Sequence, residues 1–160
     1  MDTIEAKKLK DEGLELLDST IFVSEYLPKK GVLTKSQPGP EVKDDIVFGF
    51  ELAKAIGNLD IGQTVAVKDK AIVAVEAFEG TDNLIRRSGK LAGKGLTIVK
   101  VSKPKQDMRF DIPVIGYNTV KNLVKARVRC LAIEAEKTLF IDKEKSLQLA
   151  DRYGISIVAV

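Results

Sequence analysis

Between Lys103 and Pro113 the chain places two carboxylates, three cations and two prolines in one short stretch, Lys103-Pro104-Lys105-Gln106-Asp107-Met108-Arg109-Phe110-Asp111-Ile112-Pro113. Carboxylate oxygens suit a hard cation such as Mg²⁺. Ammonium and guanidinium groups suit phosphate oxygens. The prolines keep the stretch out of a helix interior or a sheet ladder, which fits a site loop. Together these side chains point to chemistry at a phosphate ester or anhydride. A solvated turn whose charges pair with one another would use the same residues.

A second constellation is Glu76-Ala77-Phe78-Glu79-Gly80-Thr81-Asp82, at a strand-to-helix junction. Strand alternation sets Glu76 on the face opposite Val75, and Glu79 falls in the turn. Gly80 permits close backbone approach to a ligand. The helix that Thr81 or Asp82 caps offers unpaired amides to an anion, with Arg86 and Arg87 about one turn on. The plain alternative is a cap, a turn and a solvated basic face. If the strand ends at Ala77 and Val101 are neighbours, the Glu79-Asp82 and Lys103-Asp111 loops meet on one side of the sheet. Glu76, Glu79, Asp82, Asp107 and Asp111 then form an acidic cluster, with Arg86, Arg87, Lys100, Lys103, Lys105 and Arg109 around it. Such a mixture suits Mg²⁺ held by one or two carboxylates plus substrate phosphate.

What the chain lacks narrows the chemistry. It has no histidine, which removes Ser-His-Asp and Cys-His systems and ordinary catalytic zinc. Cys130 is the single cysteine and sits in an apolar strand run, so it reads as a packed thiol and leaves no internal disulfide. No Walker or dinucleotide fingerprint is present. With 26 basic against 23 acidic residues the net charge is +3, too balanced for a nucleic-acid groove. Apolar runs are short and broken by charge, so neither a membrane span nor a signal-peptide core is expected, and an intracellular domain is the default.

The elements that must position these residues are legible in outline. Asp2 to Glu12 reads as a helix stopped by Gly13, Leu14 to Leu17 as a short strand, and Ser19 or Thr20 as the cap of a short helix ending before Pro28. Gly31 to Pro40 reads as a loop, and Pro40 opens a helix to Gly57 in which Gly49 marks a close packing contact. Gln63 to Lys68 and Ala71 to Ala77 form a hairpin about Asp69-Lys70. A helix from Thr81 or Asp82 closes at Gly89, Leu96 to Val101 is a buried strand, and Asn118 or Thr119 caps a helix through Arg129. Cys130 to Ala135 and Thr138 to Ile141 read as a second hairpin about Glu136-Lys137. Lys143 to Tyr153 is a helix capped by Gly154, and Ile155 to Val160 the last strand. The expected class is α/β (α+β): one compact domain with a mixed sheet containing two hairpins, flanked by helices. Residues 1–35 form an N-terminal helix and linker-like region, and residues 36–160 the catalytic-type domain. Asp60-Ile61-Gly62-Gln63 is expected to act through its backbone, while Tyr117 is a half-buried ring or a hydrogen-bonding group for a ligand.

Asp60-Ile61-Gly62-Gln63, then Ala74 through Asp82, then Arg86-Arg87-Ser88-Gly89, resemble the central run of a known family. Lys103-Pro104 with Gln106 through Pro113 and Ile115-Gly116 resembles its signature loop. The family is the metal-dependent UDP-2,3-diacylglucosamine pyrophosphatases of lipid A biosynthesis, the LpxI type, and the resemblance covers their C-terminal domain. It implies attack of water on the α-phosphorus of a lipid-linked UDP-sugar, releasing UMP and 2,3-diacylglucosamine 1-phosphate, with Mg²⁺ or Mn²⁺ as cofactor. On that reading Asp107, Glu79 and Asp111 are the catalytic candidates. Asp107, Asp82 and Glu79 are the metal ligands, and Arg86, Arg109, Lys103 and Thr81 hold phosphate. The location implied is cytoplasmic, at the inner membrane surface. The family plan also has a preceding N-terminal α/β domain, absent here, with substrate between the two. Impaired turnover by this chain alone, and a homodimer covering the surface that the other domain faces, are the corresponding expectations. The rival class is a non-catalytic domain that binds a nucleotide-sugar or a protein.

Overall fold

The computed structural model describes residues 2–15, 17–104 and 111–160. A polar helix, α1 (Asp2–Asp11), ends two residues before Gly13, and two short 3₁₀ turns follow, Ser19–Phe22 and Ser24–Tyr26. The Asp18 carboxylate, not Ser19 or Thr20, caps the first of them, accepting from the Thr20 N–H at 2.8 Å. Leu14 and Leu17 are exposed and belong to no strand, since no strand lies alongside to pair with this apolar run. The stretch expected as a loop contains a two-residue strand, β1 (Gly31–Val32), paired antiparallel to the last strand of the chain. Local sequence carries no signal for such a distant partner.

Helix α2 (Pro40–Asn58) starts at its proline, as expected. Strands β2 (Thr64–Lys68) and β3 (Ala71–Val75) form the first hairpin. Asp69 and Lys70 both have positive φ, 52° and 58°, as a tight two-residue turn of this kind needs. The buried Asp45 carboxylate fixes that turn by accepting from the Lys70 N–H at 2.7 Å. Then come α3 (Thr81–Ala92), β4 (Thr97–Lys100), β5 (Val114–Ile115), α4 (Tyr117–Lys125), β6 (Cys130–Ile133), β7 (Leu139–Phe140), α5 (Lys143–Arg152) and β8 (Ser156–Ala159).

The main sheet has the order β1-β8-β6-β4-β2-β3. Strands β4, β6 and β8 are mutually parallel, and β1, β2 and β3 add antiparallel pairings. The class is therefore α+β with a mixed six-stranded sheet, but it holds one hairpin, not two. Glu136 does make a turn with φ 58°, yet β6 stays in the centre of the main sheet while β7 leaves to pair with β5. Burial decides this: all four residues of β6 are buried, and parallel neighbours on both sides satisfy its backbone.

Alternation along the strands builds two cores. Val65, Val67, Val99, Val101, Cys130, Ala132 and Val158 face α2. Ala66, Ala74, Ile98, Leu131, Ile133 and Ile157 face the layer that contains α3, α4 and α5. Gly49 lies where α2 crosses the sheet, and a Cβ there would meet Val99 Cγ2 at 2.7 Å. Helix α3 runs on through Gly89 to Ala92, because Gly89 is a packing residue: a Cβ would meet that of Ala126, the C-cap of α4, at 2.8 Å.

Candidate active site

Polar residues collect at one edge of the sheet, where β3 and β4 end and β2 begins. In β4 the residue two beyond Ile98 is Lys100, so period-two alternation turns its side chain to the α3–α4 face. It is only 5% exposed. Its Nζ donates to Thr81 Oγ1 at 2.7 Å, and the Thr81 hydroxyl donates in turn to Glu76 Oε1 at 2.9 Å. Glu76 Oε2 accepts from the Gln63 N–H at 3.3 Å. The relay Lys100–Thr81–Glu76 thus ties together β4, the first residue of α3 and the end of β3.

Two glycines let these elements close up. At Gly62 a Cβ would lie 2.0 Å from the Glu76 carbonyl oxygen, so the turn before β2 can rest on the end of β3 only without a side chain. Gly80 is the N-cap of α3 at φ 81° and ψ 160°, a conformation other residues avoid. The helix therefore has no side-chain cap, and Thr81, expected as cap or phosphate ligand, belongs to the relay.

Around Lys100 stand Glu76, Asp82 and Asp111. Burial pushes the Lys100 ammonium below the ordinary lysine range, and the attraction of these three carboxylates pushes it part of the way back. Oδ1 of Asp82 and Oε1 of Gln63 are shut off from solvent with no hydrogen-bond partner among the described residues. A cavity of about 280 Å³ opens here, lined by Glu79, Gly80, Thr81, Asp82, Lys100, Val114 and Thr119. The fold thus brings Thr81, Asp82 and Asp111 to one place, with Glu79 at the rim.

Other candidates go elsewhere. Both Glu79 oxygens are taken by the Arg87 guanidinium, which also donates to the Val75 carbonyl at 3.0 Å. This bond holds the Glu79 carboxyl below its usual range and makes the residue a brace for the turn. Arg86 points the other way, to Asn83 and Asn122, and lines a different cavity. Lys103 Nζ reaches Asp60 Oδ1 at 2.6 Å. Tyr117 takes the ammonium of Lys145 over its ring, 4.1 Å from the centroid. Asp107 and Arg109, together with Lys105, lie outside the described residues. Lys100 is the residue that sequence reasoning undervalued: a lysine closing a strand whose other residues are fully buried is the signal that could have marked it.

Among the described residues no three His, Cys, Asp or Glu side chains gather as a metal cage. A Mg²⁺ ion that shares substrate phosphate and water needs only one or two protein carboxylates. Asp82, with its orphaned oxygen, and Asp111, whose charge acts on Lys100, are carboxylates of the kind such an ion takes.

On the opposite, α2, face of the same edge, Glu134 is a structural hub. It accepts from Lys54 Nζ at 2.6 Å, Lys137 Nζ at 2.9 Å, and the N–H and Oγ of Ser102 at 2.8 and 2.9 Å. Burial would raise its pKa, but these donors outweigh burial and hold it at about 2, against an ordinary 4.5. A depressed carboxylate stabilises the fold fully above its unfolded value, and that contribution fades as pH falls from about 4.5 toward 2. The contribution is on the order of 3 kcal/mol. Glu134→Gln is expected to lower stability at neutral pH and to flatten the acid limb of the stability curve below pH 5 or so. Urea titrations across that range check this, and an unchanged acid slope would sink it.

Residues 29–158 match the profile described as the LpxI C-terminal domain. UDP-2,3-diacylglucosamine pyrophosphatase LpxI of Caulobacter vibrioides is 32% identical over 161 residues, taking in 96% of this chain and 58% of that protein. The chain therefore spans little more than half the length of this relative. Among solved structures, dCMP deaminase from the cyanophage S-TIM5 in apo form overlays with a TM-score of 0.42 at 14% identity, covering 76% of this chain and 99% of that one. That likeness is too distant to bear on function. No helix among the described residues is long and apolar enough to cross a membrane.

Proposed function

We propose a function from one premise: this chain belongs to the LpxI family, which it matches over the C-terminal domain. The function is hydrolysis of the pyrophosphate of UDP-2,3-diacylglucosamine, a step of lipid A biosynthesis that yields UMP and 2,3-diacylglucosamine 1-phosphate. The observation that carries it is the buried Lys100 ammonium, bonded to Thr81 and faced by Asp82 and Asp111 at the floor of a solvent-open cavity. A buried charge of that kind is costly to keep and marks a site where a charged group is handled.

Lys100 offsets negative charge on the phosphoryl oxygens as it develops, from a position fixed in advance by the Thr81–Glu76 relay. The α3 N-terminus, uncapped by any side chain, lines the same cavity through Gly80, Thr81 and Asp82. Asp107 or Asp111 orients the attacking water and takes its proton. Asp82, with Asp107 or Asp111, would hold Mg²⁺ or Mn²⁺, which when bound supplies Lewis-acid polarisation of the phosphoryl group. The cytoplasmic face of the inner membrane is where such a substrate would be met. Residues from the rest of a longer family member add orientation, so turnover by these 160 residues alone is expected to be slow.

The test is UMP release from UDP-2,3-diacylglucosamine with Mg²⁺, with EDTA, and after Mn²⁺ is restored. Release that EDTA abolishes and the metal restores is the expected result, and it should quicken when the relative's N-terminal segment is joined to the chain. If UMP binds calorimetrically but neither form releases any, the non-catalytic reading takes over.

A further inference from the structure

A concentration of cations lies away from the Lys100 cavity. Helices α3 and α4 both begin at that cavity, through Thr81 and Thr119, and pack side by side through Gly89 and Ala126. Between their C-terminal halves is a groove of about 360 Å³ lined by Arg86, Lys90, Lys94, Lys125 and Arg127 over small residues. Its size is within the range of small-ligand sites, about 300 to 1,000 Å³. None of the five cations has a carboxylate partner among the described residues. The whole chain carries a net charge of only +3, so this is segregation, not general basicity.

Cations at helix C-termini have an ordinary role, complementing the helix dipole. Two helix ends amount to about one negative charge, which five cations far exceed.

The backbone fixes the place of one of these cations. Helix α4 ends in a Schellman motif, with the Val128 N–H on the Leu123 carbonyl at 3.0 Å and the Arg127 N–H on the Val124 carbonyl at 3.1 Å. Its left-handed position, φ 54°, is held by Arg127. Glycine is the usual residue there, as at the end of α5 (Gly154, φ 66°), whereas α2 ends in the same motif on Asp60 at 58°. After α4 the chain accepts local strain and places a guanidinium in the groove instead.

We propose that this groove is a binding site for a phosphate-bearing anion, separate from the Lys100 cavity and independent of the hydrolysis proposed above. Two sources share that chemistry: a soluble phosphate and the headgroups of an anionic lipid surface.

Inorganic pyrophosphate binding by calorimetry tests the first source. Cosedimentation with phosphatidylglycerol-containing vesicles, against phosphatidylcholine vesicles, tests the second. Each cation is worth about fivefold in affinity near an anionic surface. Lys90→Ala with Lys94→Ala should therefore weaken binding about 25-fold, whereas Lys29→Ala with Lys30→Ala, an equal charge loss elsewhere, should not. Arg127→Gly is the sharper variant: it should weaken binding about fivefold while raising the melting temperature, because the strained position gains its preferred residue. Binding to either probe with these losses supports the site and names its source. Wild-type binding by both groove variants, or no binding to either probe, overturns it.

Discussion

Lys100→Met is expected to lower kcat/KM for UMP release by about 10²- to 10³-fold, the range seen when one preorganised charge-stabilising donor is removed. The melting temperature should fall modestly: burial works against the Lys100 charge, but its loss leaves Glu76, Asp82 and Asp111 without the cation they share. Methionine is close in length and reaches the same space without the ammonium. Thr81 would still donate to Glu76, so β3 and α3 stay joined. A pH profile separates an electrostatic role from a structural one. The protonated amine is the working form, so wild-type turnover should fall as pH rises through a value below the ordinary 10.5. That limb should be missing from the residual activity of the methionine variant. Wild-type kcat/KM in Lys100→Met would reduce Lys100 to a core charge and take the proposed site with it.

Asp107→Ala should cost about 10² to 10⁴ in kcat, the usual worth of a positioned general base, or more if a metal ligand is lost as well. The residue is outside the described residues, and the expectation rests on its neighbours. It lies in the sequence between Lys100, the last residue of β4, and Asp111, whose charge acts on Lys100. Within the segment Asp107 is followed two residues on by Arg109, an arginine able to grip phosphate with two hydrogen bonds. Asp69→Ala is the contrast. It alters a left-handed turn position far from the cavity, so it should lower the melting temperature slightly and leave turnover alone. If Asp107→Ala melts normally and still turns over near the wild-type rate, the base must be sought at Asp111.

Much of the fold was legible because most elements announce themselves locally. Pro40 at a helix start, the Asp69-Lys70 turn and the buried run after Leu96 need no knowledge of partners. What failed depended on distant pairing. The Glu136 turn was read correctly as a turn, but nothing nearby says that β6 pairs with β4 and β8 while β7 goes to β5. Gly89 resembled a helix stop and proved to be a contact with Ala126, thirty-seven positions further along.

The candidate site was half legible for a related reason. Composition marked the Glu76–Asp82 and Lys103–Asp111 segments, but it could not sort the charges within them. A salt bridge to Arg87 engages both Glu79 oxygens beside the cavity, and Arg86 lines a different cavity. Lys100, one cation among several in the sequence, ends a strand whose alternation points it inward.

The single cysteine has a use of its own. Cys130 lies in the middle of the sheet between β4 and β8, fully buried, with burial first and the nearby Asp45 second pushing its thiol up to about 12. A thiol reagent therefore finds no target in the closed protein, and each modification records one opening of the central strands. The chain carries its own clock for sheet breathing, readable by mass at one position without an added label. Ligand at the strand ends would slow that clock in proportion to the openings it suppresses.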